Sequence, residues 1–290
     1  MKKYSYLTET TGENTKMFFA DKIVVITGAA SGIGRALGVE LARLGAIVVM
    51  ADVQTKMLED VVASITQDGY KVKAKTLDVT NSEDVKALVG DTAAEYGRLD
   101  YIFNNAGIAV GGEVRDCSID DWRNVLNVNL FGVINGVAAA YPLMVKQGFG
   151  HIINTSSIAG LAPFPYEIPY VTSKHGVVGL SNALRIEGAD LGVNVSVVCP
   201  GLIKTAIYHT SKLIKLDRDK FLESLPERFW ITPEKCALQI LHGVKHNKAI
   251  IVVTGLAKIL WWLFRIYPGL VLWFLGQAIR KSRKEMRIDI

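Results

Sequence analysis

The feature that most constrains this chain is a rhythm: short β-branched runs alternate with longer stretches of helical period. KIVVIT (22–27) is short and rich in β-branched Val and Ile, which predicts a buried strand. GRALGVELARLG (34–45) has a helical period and ends at a glycine. The same alternation predicts strands at 46–51, 70–77, 99–104, 150–156 and 194–199, with helices at 54–68, 82–96, 119–147 and 170–191. A polar stretch (206–230), a helix (233–246) and a strand (249–254) follow. Strands this apolar need cover on both faces, and helices between them supply it. With right-handed crossovers, the result is an α/β, doubly wound parallel sheet. No repeat or linker interrupts it, so one domain over 20–255 is expected, with a polar leader (1–19), a substrate lid (202–230) and a hydrophobic helical tail with a basic end (256–290).

The totals exclude several functions. The net charge of +5 is mild, and part of it collects at Arg280, Lys281, Arg283, Lys284 and Arg287 against Glu285 and Asp289. No basic stripe with interleaved aromatics runs through the body, so a nucleic-acid partner is not expected. Cys117, Cys199 and Cys236 are scattered, which argues against disulfides and for a reducing compartment such as the cytoplasm. His242 and His246 lie four apart, but no third ligand is near, so no metal is expected. The first residues are polar and lack the apolar core of a secretory signal.

TGAASGIG (27–34) leaves the first strand and opens the first helix. Gly28, Gly32 and Gly34 let the backbone approach a pyrophosphate and aim helix N–H groups at it, and Ser31 and Ile33 belong to the same turn. Asp52 ends the next strand, twenty positions after Gly32. It is suited to accept hydrogen bonds from ribose hydroxyls and to repel a 2′-phosphate. Ala30, Ser31 and Val53 offer that phosphate no cation, so NAD is expected over NADP.

The chain resembles the classical short-chain dehydrogenase/reductase family. The resemblance covers about residues 20–255 and rests on TGAASGIG (27–34), NNAG (104–107), Asn129 in NVNLFG, Ser157 in NTSSIAG, YVTSK (170–174) and the Pro200-Gly201…Thr205 segment, in the family's order. It implies a Rossmann fold, a nicotinamide cofactor, a small-molecule substrate and a homo-dimer or homo-tetramer built on the 119–147 and 170–191 helices. It also implies that Asn129, Ser157, Tyr170 and Lys174 are catalytic. Asn129 would anchor a water linking Lys174 to solvent, and Lys174 would reach the nicotinamide ribose. Asp78 and Val79 would border the adenine; Asn105, Ala106 and Gly107 would line the ribose side. Pro200, Gly201, Ile203 and Thr205 would hold the nicotinamide.

The residue chemistry agrees. Tyr170 and Lys174 are four apart and share a helix face. A phenol of pKa ~10 is a poor base at neutral pH, and a nearby ammonium is expected to lower that value. The pair then serves an alcohol/carbonyl couple. Ser156 and Ser157 compete for the next role; Ser157 stands thirteen before Tyr170, the family's spacing, and is chosen to hold the substrate oxygen. Residues 158–169 and 202–230 should wall the pocket with Leu161, Phe164, Tyr166, Tyr208, Leu213, Phe221 and Phe229. Of these, Phe164 and Tyr208 are taken as substrate contacts. This suits a steroid-, retinoid- or long-chain-like secondary alcohol or ketone. The alternatives are an NADP-dependent 3-oxoacyl reductase and a nucleotide-sensing or scaffold protein on the same fold.

The tail is apolar from 256 to 279, but Lys258 and Arg265 intrude and Pro268-Gly269 breaks the helix. Two short helices with a bend are expected, each under three or four turns and neither able to cross a bilayer alone. In one reading residues 256–287 make peripheral membrane contact, with Trp261, Trp262, Tyr267 and Trp273 at the interface and the basic end on anionic lipid. In the other the pair packs on its own domain, where it closes the pocket, or on a sister subunit.

Overall fold

The computed structural model describes residues 15–288. The polar leader up to residue 14, and Asp289 at the other end, lie outside the described residues; 15–19 are helical. The elements then run β1 (Ile23–Thr27), α1 (Gly32–Arg43), β2 (Ile47–Asp52), α2 (Thr55–Gln67), β3 (Val72–Thr76), α3 (Ser82–Tyr96), β4 (Tyr101–Asn104) and β5 (Val110–Gly112). Next come α4 (Ile119–Leu126), α5 (Gly132–Gln147), β6 (Gly150–Thr155), α6 (Ile168–Gly188), β7 (Val193–Pro200), α7 (Ile207–Thr210) and β8 (Lys212–Ile214). The chain continues through α8 (Arg218–Ser224), α9 (Pro233–Lys245), β9 (Ile250–Val253), α10 (Gly255–Ile266) and α11 (Pro268–Met286).

Seven strands form one parallel sheet in the order β3-β2-β1-β4-β6-β7-β9. The order reverses between β1 and β4, which opens a crevice at the strands' carboxyl ends. Alternation along β1 sends Val24 and Ile26 into one core and Ile23 and Val25 into the other. Leu37 and Leu41 of α1 and Ile240 and Val244 of α9 cover the first face. Leu88 of α3, Val137 and Met144 of α5 and Val177 of α6 cover the second. Local signals set the helix starts: Asn81 accepts from the Glu83 and Asp84 amides, and Ser118 forms a reciprocal capping box with Asp121.

Three features depart from the sequence reading. The helix expected over 119–147 is interrupted by a π-turn, Asn127–Phe131, which carries Asn129. A second, two-stranded parallel sheet pairs β5 with β8. The last helix is longer than the three or four turns expected: α11 has 19 residues, because the basic run after 280 continues the helix to Met286. The bend itself is as expected, with α10 and α11 meeting at 116°. Among the described residues, Ile119–Gln147 is one helical run apolar and long enough to cross a bilayer, but it packs in the core through Val125, Val133, Val137 and Met144.

Candidate active site

The phosphate-loop geometry follows from what its glycines lack. Gly28 and Gly32 adopt φ of 66° and 53°, which disfavours side chains. A Cβ on Gly34 would sit 2.1 Å from the Gly28 carbonyl oxygen and 2.6 Å from Asn105 Nδ2. The loop is tied to the β4 end: the Asn105 and Ala106 amides donate to Thr27 Oγ1 at 3.0 and 3.2 Å, and Asn105 Nδ2 donates to the Thr27 and Gly28 carbonyls. Ser31 caps α1 by position, but its side chain makes no capping hydrogen bond, so the first turn of α1 presents uncapped amides over a glycine floor. Thr205, beyond β7, faces the same loop: its methyl lies 3.1 Å from where a Gly32 Cβ would stand. This cradle fits a pyrophosphate.

Asp52 is buried at the end of β2. Its Oδ2 accepts from the Ala30 amide and its Oδ1 from the Gln54 amide, both at 2.9 Å. The carboxylate thus also braces the loop, and each oxygen keeps a lone pair for a ribose hydroxyl. Val53 beside it is exposed, and exposed Arg35 is drawn towards Glu234. Asp78 is exposed and binds Thr80, while Val79 packs against Gly132 and gives its carbonyl to Asn135. Beyond β7, Gly201 packs against Thr254 and buried Ile203 bridges to Ile231.

The structure brings the four expected catalytic residues to one end of the sheet. Lys174 is buried on α6, its Nζ donating to the Thr155 carbonyl at 3.0 Å and lying 5.4 Å from the centre of the Tyr170 ring. The Ser157 hydroxyl accepts from the Ala159 amide at 3.1 Å and is near enough to the Tyr170 phenol to favour its ionised form. Ser156 is occupied elsewhere, donating to the Lys174 carbonyl at 2.8 Å against Gly160. Asn129 is fully buried in the π-turn; its Oδ1 accepts from the Ile108 amide, and its Nδ2 donates to the Ile108 carbonyl and Ser173 Oγ. Asn129 Oδ1 and Lys174 Nζ both border Gly107, at 3.3 and 3.5 Å from the place of its missing Cβ.

The electrostatics differ from the simple expectation. Burial holds the Lys174 ammonium down to about 8. Burial also pushes the Tyr170 phenol above its ordinary value, with the Glu167 carboxyl adding to the rise. The lowering expected from Lys174 does not show: desolvation of the phenolate dominates, and the Ser157 hydroxyl is what opposes it. Cys199 lies close to Lys174 and Ser156, but burial raises its thiol to about 12, so it is a neutral core group.

Two pocket residues part company. Tyr208 is held near the site: its ring packs on Trp230 with centroids 4.7 Å apart, and burial keeps its phenol neutral. Phe164 packs against the core beneath α6 with Leu161. Tyr166, expected in the pocket wall, instead lies with Leu216 and Met286 under the tail, at φ 69°.

Glu167 was not singled out by the sequence reading, although it is the one acid in the apolar wall IAGLAPFPYEIP. It stands at the start of α6 with no side-chain capping bond, and burial raises its carboxyl to about 7. Above that pH its charge opposes the Tyr170 phenolate. Glu167→Gln removes the repulsion, so the acid limb of kcat/KM for alcohol oxidation should move to lower pH. An unmoved limb in a pH–rate profile would remove Glu167 from the site's electrostatics.

The model of the short chain dehydrogenase family matches residues 22–213. An uncharacterized oxidoreductase of Listeria monocytogenes is 37% identical over 231 residues, which is 79% of this chain and 92% of the relative. A cyclohexanol dehydrogenase of an Acinetobacter strain is 39% identical over 204 residues, 68% of this chain and 80% of its own. Among solved structures, a short-chain dehydrogenase/reductase from Burkholderia phymatum in complex with NAD superposes with a TM-score of 0.79 at 30% identity, covering 87% of this chain and 95% of that one.

Proposed function

The chain belongs to the short-chain dehydrogenase/reductase family, and on that premise we propose that it transfers a hydride between NAD(H) and a hydrophobic secondary alcohol or its ketone. The family's oxidoreductases act on alcohols and ketones with NAD(P), and a relative named for cyclohexanol points to the cyclic, apolar end of that range. The carrying observation is the convergence of Ser157, Tyr170 and Lys174 on the end of β6, opposite the glycine cradle.

The cofactor, when bound, would supply a hydride acceptor for the carbinol carbon. Ser157 and Tyr170 hold the substrate oxygen between them. Tyr170 takes the hydroxyl proton in oxidation and returns it in reduction. Lys174 favours the phenolate by its charge and reaches the ribose. Asn129 holds a water beside Gly107 that carries the proton on from Lys174. Gly28, Ser31, Gly32, Ile33 and Gly34 would hold the pyrophosphate. Asp52 would take the adenosine ribose, and Asp78, Val79, Asn105, Ala106 and Gly107 would line the adenosine and ribose side. Pro200, Gly201, Ile203 and Thr205 would hold the nicotinamide, and Tyr208 would contact substrate. Exposed Phe131, which opens on to α5, and Ile186 on α6 support a homo-oligomer through those helices; the scattered cysteines support the cytoplasm as its compartment.

The rival 3-oxoacyl reductase needs NADP, and the Asp52 carboxylate beside Val53 opposes a 2′-phosphate. A sensor on the same fold has no need of the Ser157–Tyr170 contact. Initial rates with NAD and NADP decide between these readings. NAD is expected to be favoured in kcat/KM by about tenfold or more, the scale of a ~1.4 kcal/mol clash. Asp52→Asn should narrow that ratio. A preference for NADP would refute this reading of Asp52.

A further inference from the structure

The tail presents a surface that the fold itself does not cover. On α10, Ile259, Trp262, Leu263 and Ile266 recur at helical spacing and are all exposed. Tyr267 at the bend and Leu270, Leu272, Trp273 and Phe274 on α11 extend the patch. The opposite side is anchored: Ala257, Leu260 and Trp261 pack into the core beneath the sheet. The outward face is therefore held in place rather than loosely attached, and it is too apolar to leave in water.

The charge along the tail has one sign up to residue 284. Between 255 and 284 there is no acidic residue, whereas Lys258, Arg265, Arg280, Lys281 and Lys284 are basic, Lys281 being paired with Glu285 one turn on. In a symmetric contact between two copies this patch would meet itself, setting these cations against one another. An anionic lipid surface complements them and accepts the tryptophans at headgroup depth. Neither helix is an apolar span by itself: α10, with 12 residues, covers about 18 Å against a hydrocarbon core of ~30 Å, α11 turns basic from Arg280 onward, and the two are bent by 116°.

The far end of α11 is latched to the substrate side of the molecule. Arg283 Nε donates to Glu113 Oε1 at 3.0 Å, and Arg287 Nη1 donates to Asp116 Oδ2 at 2.8 Å. Tyr166 and Ser282 share a hydrogen bond of 3.0 Å, and the Asp217 amide donates to the Met286 carbonyl at 2.9 Å. Met286 packs on Leu216 and Tyr166, between the lid and the loop that leads to Tyr170.

We propose that the α10–α11 pair docks the enzyme on an anionic lipid surface, lying in the headgroup region, and that the latch of α11 sets the substrate lid against that surface. The docking stands on the tail alone; the substrate half rests on the function proposed above. An apolar alcohol dissolved in the bilayer then reaches the lid without passing through water.

The full-length protein is floated with vesicles of phosphatidylcholine alone and of phosphatidylcholine with phosphatidylglycerol, at low and high salt. Binding to the anionic vesicles, weakened by salt, is the expected result, and Trp262→Glu with Trp273→Glu should reduce it at least tenfold. The same variant should raise KM for a long-chain secondary alcohol held in those vesicles while leaving kcat/KM for a water-soluble alcohol unchanged, which also shows that it is folded. The proposal is overturned if the wild type does not float, if it floats equally on both vesicle types, or if the variant binds as the wild type does. It is equally overturned if the substitutions break a dimer or tetramer without any vesicle binding, since the face is then a subunit interface. Binding without turnover of any alcohol would refute the function and leave the docking intact.

Discussion

Tyr170→Phe is expected to lower kcat/KM by about 10²–10⁴-fold, the usual contribution of a positioned acid/base. The substitution removes one oxygen and keeps the ring, so packing over Lys174, 5.4 Å from the ring centre, survives. What disappears is the atom that accepts the proton and shares the substrate oxygen with Ser157. Affinity for NADH, measured by fluorescence titration, should stay close to wild type, which separates loss of chemistry from loss of fold. Burial and the Glu167 carboxyl oppose the phenolate in this structure, and the Ser157 hydroxyl favours it. Residual activity within tenfold of wild type would place the acid/base elsewhere.

Gly34→Ala is expected to have the largest effect on cofactor binding. The added methyl would lie 2.1 Å from the Gly28 carbonyl oxygen and 2.6 Å from Asn105 Nδ2. Neither is the free end of a flexible side chain: one is backbone, and the other is held by two carbonyls at 3.1 and 3.2 Å. The helix and the loop must therefore separate, which destabilises the fold by roughly 1–3 kcal/mol. It also opens the amide cradle, and a loss in NADH affinity of about 10–100-fold is expected, since ~1.4 kcal/mol corresponds to tenfold. Gly90→Ala in α3 is the control. A Cβ there meets nothing within 4 Å, so that change should be neutral or stabilise by up to about 1 kcal/mol. Equal NADH affinity in Gly34→Ala and wild type would mean that the loop does not carry the cofactor.

The parts legible in the sequence are those whose signal is local. β-branched runs such as IVVIT and IVVMAD are buried on both faces, so composition alone marks them. The glycine loop and the Tyr170–Lys174 spacing are also local, and the structure places both at the carboxyl end of the sheet. What escaped depends on distant partners. β5 and β8 are three residues each and meet across about a hundred positions, so neither shows a period. The π-turn at Asn129 is invisible because helical spacing survives one inserted residue. The length of α11 was missed because Arg283 and Arg287 read as a solvated basic end, whereas Glu113 and Asp116 pair with them and extend the order of the chain. Glu167 escaped because its significance lies in its charge beside Tyr170, which no spacing encodes. The second function of Asp52, as an acceptor for the Ala30 amide, is a tertiary contact of the same kind.

The most direct test of the account follows the hydride itself. Cyclohexanol carrying deuterium at the carbinol carbon is incubated with the protein and NAD, and the reduced cofactor is analysed by mass spectrometry. The account predicts one deuterium per reduced nicotinamide, formed in step with cyclohexanone, and formation about 10²–10⁴-fold slower with Tyr170→Phe. Reduced cofactor without deuterium, or no reduction with this or any bulkier labelled secondary alcohol by protein that binds NAD, would contradict it.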